Sequence, residues 1–250
     1  MEDQTMSAPD TPEKPAFFAT TRWSVVLTAR DGAERDATGA LETLCRTYWP
    51  ALYGYARRRG LAPHDAEDAT QAFFARMLEK DYLQAVQRER GPFRAFLQMA
   101  FKRFLSKERD HAAALVRGGG ATHLSLDFPA AEMVCAGDSP QLAADEVFEL
   151  RWALTVLDAV MRALREEFRA ARKETDFEIL KGALNASKDG SDYATMAAAL
   201  GMSDGAVRVA AHRLRKRFRE LFRAEVAQTV TSREDVEVEL RHLVTVLAGA

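Results

Sequence analysis

Apolar residues recur every three or four positions along most of this chain, a period that commits it to helices. Leu41, Leu44, Cys45, Tyr48, Leu52, Tyr55 and Ala56 form one such stripe, as the buried face of a helix requires. Pro50 interrupts it and is expected to kink or split the helix, because proline lacks the N–H and its ring crowds the preceding turn. A second helix is expected from near Pro63 and Asp65 to about Glu79, burying Ala66, Ala69, Phe73 and Met77. A third should run from Pro92 to about Leu115, with Phe93, Phe96, Leu97, Ala100, Phe101, Phe104 and Leu105 apolar. No strand alternation of useful length and no internal repeat accompanies these stripes, so the fold class is all-α.

The pattern stops at Gly118-Gly119-Gly120 and stays weak through Pro129, Gly137 and Pro140, the composition of a linker. It resumes at about Asp145 and continues to Phe168 through Phe148, Trp152, Leu154, Leu157, Val160, Met161 and Leu164. A short helix should hold Phe177, Ile179, Leu180 and Leu184. Gly190 and Ser191 then precede a helix pair, Tyr193–Leu200 and Asp204–Phe222. Ser232 has the look of an N-cap, with Asp235 placed for a capping box and Val236, Leu240, Leu243 and Leu247 on one face. The expected architecture is two helical domains joined by an acidic linker. A loose tail covers 1–20, the first domain 21–116, the linker 117–144, the second domain 145–226 and a helical extension 227–250.

Several function classes drop out. The chain has 250 residues, 47% of them apolar and 29% charged, an ordinary balance for a globular protein. No run of about eighteen apolar residues offers a membrane span, and the polar start, Met1 to Pro15, lacks the features of a secretory signal. Cys45 and Cys135 stand alone, which supports neither a disulfide framework nor a zinc site, so the cytoplasm is the default compartment. His64, His111, His123, His212 and His242 show no metal-ligand pairing. The triple glycine lacks the Lys-Ser/Thr of a phosphate loop, and no nucleophile elbow is present. No catalytic residue, metal or cofactor is expected, and the chain is read as not an enzyme.

Charge is informative only when resolved along the chain. The net value is −2, yet Arg208 to Arg223 carries +6, Arg88 to Arg117 carries +5, and Asp127 to Leu150 carries −6. Two basic blocks around an acidic one suggest two nucleic-acid contacts on one chain. The second block belongs to the clearest local motif, Met196-Ala197-Ala198-Ala199-Leu200-Gly201-Met202-Ser203-Asp204-Gly205-Ala206-Val207-Arg208. A helix-turn-helix needs a small residue at the helix crossing, a glycine in the turn and an apolar lock on the second helix. Ala197, Gly201 and Val207 stand at those offsets. Ser203 can cap the second helix; Arg208, His212 and Arg215 lie three or four apart on one face. Arg213, Lys216, Arg217 and Arg219 add charge for flanking phosphates. The plainer alternative is a helical hairpin with a solvated basic face.

The first half carries a different chemistry. Asp65 and Asp68 are three apart on a helix, with Glu67 beside them and Gln71 a turn further on. Acids in a first turn stabilise a helix by roughly 0.3–1 kcal/mol, which would by itself account for them. The following helix mixes cations with aromatics: Arg94, Phe96, Phe101, Lys102, Arg103, Phe104, Lys107 and Arg109. Its aromatics follow core spacing, but holding unpaired bases also calls for stacking rings beside phosphate-neutralising cations.

Tyr48-Trp49-Pro50-Ala51-Leu52-Tyr53, then Asp65 to Phe74, then Phe93-Arg94-Ala95-Phe96-Leu97 resembles domain two of the extracytoplasmic-function sigma factors. Tyr193 to Leu221 is similar to their domain four, and the match spans about residues 22 to 225. The resemblance implies that Asp65, Glu67, Asp68 and Gln71 dock on core RNA polymerase. It implies that Arg94, Phe96, Lys102, Arg103, Phe104, Lys107 and Arg109 recognise and open the promoter −10 element. It likewise places Ser203, Arg208, His212, Arg213, Arg215, Lys216 and Arg217 on the −35 element. The acidic linker would thread toward the RNA exit path, with Asp138, Asp145 and Glu146 standing in for RNA phosphates. Arg103 departs from the family, many members of which have Asn near that position.

Core RNA polymerase and promoter DNA are thus the expected partners, in a monomer by default. Candidate controls are an anti-sigma factor, a Ser/Thr kinase acting near the docking helix at Thr70, or regulated expression. The extension from Ala227 to Ala250, with Glu234, Asp235, Glu237 and Glu239 against Arg233 and Arg241, is expected to pack on the second domain or bind a partner. The competing function is a polymerase-independent helix-turn-helix regulator, for which the last helix would supply a dimer seam.

Overall fold

A computed structural model describes residues 34–78, 92–114, 141–185, 192–230 and 232–249. The expected tail 1–20 and most of the expected linker, including Cys135 and Asp138, lie outside the described residues. The described residues form α1 (Glu34–Arg58), α2 (Pro63–Leu78), α3 (Phe93–Ala114), α4 (Ala144–Ala170), α5 (Glu174–Leu180), α6 (Gly182–Asn185), α7 (Tyr193–Leu200), α8 (Asp204–Ala227) and α9 (Arg233–Ala248). Among the described residues there is no strand, as the all-α pattern requires.

α1 runs through Pro50 as one helix rather than splitting there. The reason lies in its neighbours. Tyr48, Trp49, Ala51 and Leu52 are all buried around the proline, and their packing outweighs the one backbone hydrogen bond that proline removes. α1 lies along α4, its principal partner, and also meets α2. Trp49 stacks on Phe74 of α2, centroids 6.0 Å apart. Phe73 and Tyr55 meet Phe101 of α3 edge-on at 5.0 and 6.0 Å.

The packing does not divide between residues 144 and 145. One apolar cluster joins Tyr48, Trp49, Phe73 and Phe101 to Phe148, Trp152 and Val160 of α4, to Phe222 and Val226 of α8, and to Val236 and Leu243 of α9. A second holds Leu164, Phe177, Leu180, Tyr193, Ala197, Val207, Ala211 and Leu214. α4, of 27 residues, and α8, of 24, therefore run through both clusters. At 1.5 Å of rise per residue each is roughly 40 Å long, more than one small core can cover. The expected two-domain boundary read the start of α4 as the start of a domain, whereas its first half completes the core of α1–α3.

α9 is an integral part of this core. The Ser232 side chain accepts from the Asp235 amide at 3.2 Å, and its hydroxyl donates to the Asp235 carboxylate at 2.7 Å. Val236 and Leu243 point inward, with Leu240, Val246 and Leu247 packed beside them. The Phe93 amide also donates to the Thr229 carbonyl at 3.3 Å, tying the start of α3 to the turn before α9. α9 thus packs into the core it shares with α3, α4 and α8, not onto the expected second domain alone. No helix among the described residues is long and apolar enough to cross a membrane.

Candidate nucleic-acid interface

The second basic block lies on α8, which follows α7 across a short turn. α7 begins at Asp192, whose carboxylate accepts from the Thr195 amide at 3.0 Å and its hydroxyl at 2.5 Å. These hydrogen bonds, the hydroxyl's first, hold the Asp192 carboxyl below the usual range. α7 ends at Gly201, in the left-handed region at φ 64° and ψ 29°. The Met202 amide closes on the Ala197 carbonyl at 3.0 Å and the Gly201 amide on Ala198 at 3.4 Å, the paired bonds of a Schellman turn. Ser203 then caps α8 by accepting from the Ala206 amide at 3.3 Å. Val207, Ala211 and Leu214 lock the second helix into the small core.

Gly201 should not tolerate a side chain, although there is room for one. A Cβ there would meet nothing within 4 Å, so the cost of Gly201→Ala is conformational, roughly 1–2 kcal/mol for a left-handed L-residue. Urea unfolding of the variant measures it. An unchanged midpoint would mean that the turn relaxes without glycine.

The exposed side chains of α8 sort into free and engaged groups. His212, Arg213, Lys216 and Arg219 are exposed. Arg208 is exposed but poised: its guanidinium lies 4.6 Å over the Tyr193 ring and pairs with Asp204 at 3.7 Å. Arg215 is half-buried and points elsewhere. Its Nε donates to the Ala183 carbonyl at 2.9 Å and its Nη1 to the Tyr193 hydroxyl at 3.1 Å. It fastens α8 to α6 and α7, so its guanidinium is engaged within the chain and not displayed beside the other candidate DNA contacts. Arg217 is likewise engaged, with Glu167 of α4 at 2.6 Å and Glu220 at 3.0 Å. The Glu167 carboxyl is held below the usual range by its hydrogen bond to Arg217.

α3 carries the first basic block, and the structure divides its residues more sharply. Arg103 and Lys107 are exposed, whereas the side chain of Arg109 lies outside the described residues. Phe104 is buried, 5.6 Å edge-on to Phe73, and Phe96 is packed against the same core. Phe104 is in the core and Phe96 half-buried against it, as their helical spacing implies, and neither ring stands out as a stacking platform of the kind the resemblance implies.

Arg94, which the resemblance places on the −10 element, is covered in this structure. It is only 8% exposed. Its Nε and Nη2 donate to the two Glu239 oxygens of α9 at 2.6 and 3.1 Å, and its Nη1 to Glu149 of α4 at 2.5 Å. The guanidinium also lies 5.0 Å over the Trp152 ring. Burial alone would lower its pKa; the hydrogen bonds and charge of Glu239, with Glu149, reverse that and hold it above the ordinary value. His242 of α9 completes the cluster at 2.9 Å from Glu149. One turn along α3, Gln98 reaches Asp145 at 3.3 Å. Lys102 reaches the same carboxylate at 2.7 Å.

Asp145, Glu146 and Glu149 lie in the first turns of α4, where the helical pattern resumes in the sequence, and Asp145 and Glu146 are engaged there rather than threading away from the fold. Asp145 faces α3, and the Glu146 carboxylate accepts from the Ala143 amide at 2.7 Å to cap α4. Glu149 and Glu239 went unsuspected, although the sequence held a signal. Glu239 stands three residues after Val236 and four before Leu243, and Arg94 three before Leu97. Opposite charges on two apolar stripes ask for one another.

The acidic patch of α2 is on the surface. Asp65 is exposed, Glu67, Asp68 and Gln71 are half-exposed, and Gln71 reaches back to Glu67 at 3.5 Å. His64 lies 3.2 Å from Asp68; its backbone hydrogen bond, then the Asp68 charge, raise its pKa above the usual value. Thr70 is fully buried, and its hydroxyl donates to the Ala66 carbonyl at 2.7 Å. A kinase would find no acceptor there in this conformation.

Between α4, α5 and α8 lies an open apolar cleft of about 700 Å³, walled by Phe168, Leu180, Leu200, Val209 and Leu214. Among the described residues no group of His, Cys, Asp and Glu is placed to hold a metal ion. No family model, no curated protein and no solved structure matches this chain.

Proposed function

We propose that this chain is a sigma factor of the extracytoplasmic-function kind, which binds core RNA polymerase and directs it to promoters. The observation that carries this reading is the helix-turn-helix of α7 and α8. Its turn is closed by Gly201, its second helix is capped by Ser203, and His212, Arg213, Lys216 and Arg219 are exposed along it. A capped helix with exposed Arg and Lys side chains on its outer face suits a major groove and the phosphates beside it.

The same chain presents a second polar surface of opposite sign, Asp65, Glu67 and Asp68 on α2. A DNA-binding protein gains nothing on DNA from such a patch, whereas a basic protein partner would read it directly. The alternative, a polymerase-independent regulator, needs a dimer seam. The apolar stripe of α9 is spent inside the core, which leaves Val238 and Val244 exposed on that helix.

Co-elution of the purified chain with bacterial core RNA polymerase tests the proposal, with an Asp65→Lys, Asp68→Lys variant alongside. The wild type should co-elute and the variant should not. Neither position is buried, so both proteins should fold alike. Failure of the wild type to co-elute, with binding to duplex DNA alone, would favour the regulator.

A further inference from the structure

The polar stripe of α3 is covered. Arg94, Gln98 and Lys102 lie four residues apart on one face, and each meets a carboxylate from another helix: Glu149 and Asp145 of α4, or Glu239 of α9. The two helices run antiparallel at this contact, since Arg94 meets Glu149 while Lys102 meets Asp145. We propose that this acidic row occupies the strand-binding face of α3 in the free chain, standing in for the phosphates of a single strand. These carboxylates must then be displaced before Arg94 and Lys102 can engage nucleic acid.

Three features support the inference. Glu239 takes Arg94 through both oxygens, at 2.6 and 3.1 Å, the same two-pronged geometry by which a guanidinium holds a phosphate. Stability alone does not demand the arrangement, because a buried ion pair can generally be replaced by apolar side chains without loss. The row is also graded. The Arg94 end is sealed, whereas the Asp145 end is open to solvent, with side-chain exposures of 38% for Lys102 and 58% for Asp145. A strand could therefore begin by displacing Asp145 and proceed inward. Arg103 and Lys107, exposed on the same helix, would supply the first attraction.

The inference rests on α3 being a nucleic-acid helix and not on polymerase docking, so its test uses the full chain alone. A fluorescein-labelled single-stranded oligodeoxynucleotide of mixed sequence is titrated with protein across a series of salt concentrations. In the Glu149→Gln, Glu239→Gln double variant Arg94 keeps amide oxygens as acceptors but loses both opposing charges, so a phosphate competes for it on better terms. Affinity near 0.1 M salt should rise roughly 5-fold, and the slope of log affinity against log salt should steepen by about 0.7. Asp145→Asn releases Lys102 and should do the same. Because Asp145 is exposed, this variant folds even if the double variant does not.

Glu166→Gln is the control. It removes an equal charge from α4, but its partner is Arg169 at 3.6 Å, so the slope should stay at the wild-type value. Equal slopes for Asp145→Asn and Glu166→Gln would overturn the masking while leaving α3 a nucleic-acid helix. Absence of binding by every version would overturn both. Co-elution with polymerase is judged separately from either result.

Discussion

Replacing Arg94 with alanine should cost the fold about 3–5 kcal/mol, because it leaves a buried carboxylate without its cation. The Glu239 side chain is 3% exposed and holds two hydrogen bonds from Arg94. Glu149 fares better, since it keeps His242 at 2.9 Å and is itself more accessible. The ring of Trp152 also loses the cation lying over it, a contact worth roughly 0.5–2 kcal/mol.

Urea unfolding of Arg94→Ala measures the whole. An Arg94→Met, Glu239→Met double variant separates the pair from its geometry. Two flexible apolar side chains can fill the same space, and the double variant should lie within about 1–2 kcal/mol of wild type. Glu239→Gln should be milder than Arg94→Ala, because the amide oxygen still accepts from the guanidinium. A loss below about 1 kcal/mol for Arg94→Ala would mean that the buried network does not hold α9 to α3 in solution.

The same cluster marks how far the sequence could be read. Helix positions followed directly from the apolar period: the stripe from Phe93 to Leu105 lies inside α3, and the cap at Ser232 opens α9. The turn at Gly201 was equally legible, because a left-handed residue between two helices leaves few alternatives to glycine. The errors came from longer range. A basic residue on a helix looks the same in one dimension whether it faces solvent or a carboxylate 145 residues away, as Arg94 faces Glu239. Phe104 had core spacing and proved to be core; the resemblance had placed it among the DNA contacts.

The acidic block from Asp127 to Leu150 mixes two kinds of residue for a related reason. Counting charge over a window merges the acids that cap and pair α4, Asp145, Glu146 and Glu149, with those outside the described residues. The expected division into domains follows the weak apolar pattern of 117–144 in the sequence. Packing is not bound by connectivity, and the first half of α4 returns to α1.

Arg213 and Arg215 stand two residues apart on α8 and should respond to alanine in opposite ways. Arg215 donates to the Ala183 carbonyl and the Tyr193 hydroxyl. Losing those charge-assisted hydrogen bonds should destabilise the chain by about 2–3 kcal/mol. Duplex DNA affinity would then fall with the positioning of α7, and the salt dependence should change little, since no phosphate contact is removed. Arg213 is exposed, and its replacement should move stability by no more than about 0.5 kcal/mol. Its effect should appear on DNA instead, as a slope of log affinity against log salt shallower by about 0.9 if it meets one phosphate. If it meets a base edge, the loss should be about 1–3 kcal/mol and confined to some sequences. Unfolding midpoints and salt-dependent anisotropy on one duplex fragment separate these outcomes. Should Arg215→Ala flatten the salt slope while leaving the midpoint in place, the brace would be the wrong role for it, and the basic face of α8 would extend further round the helix.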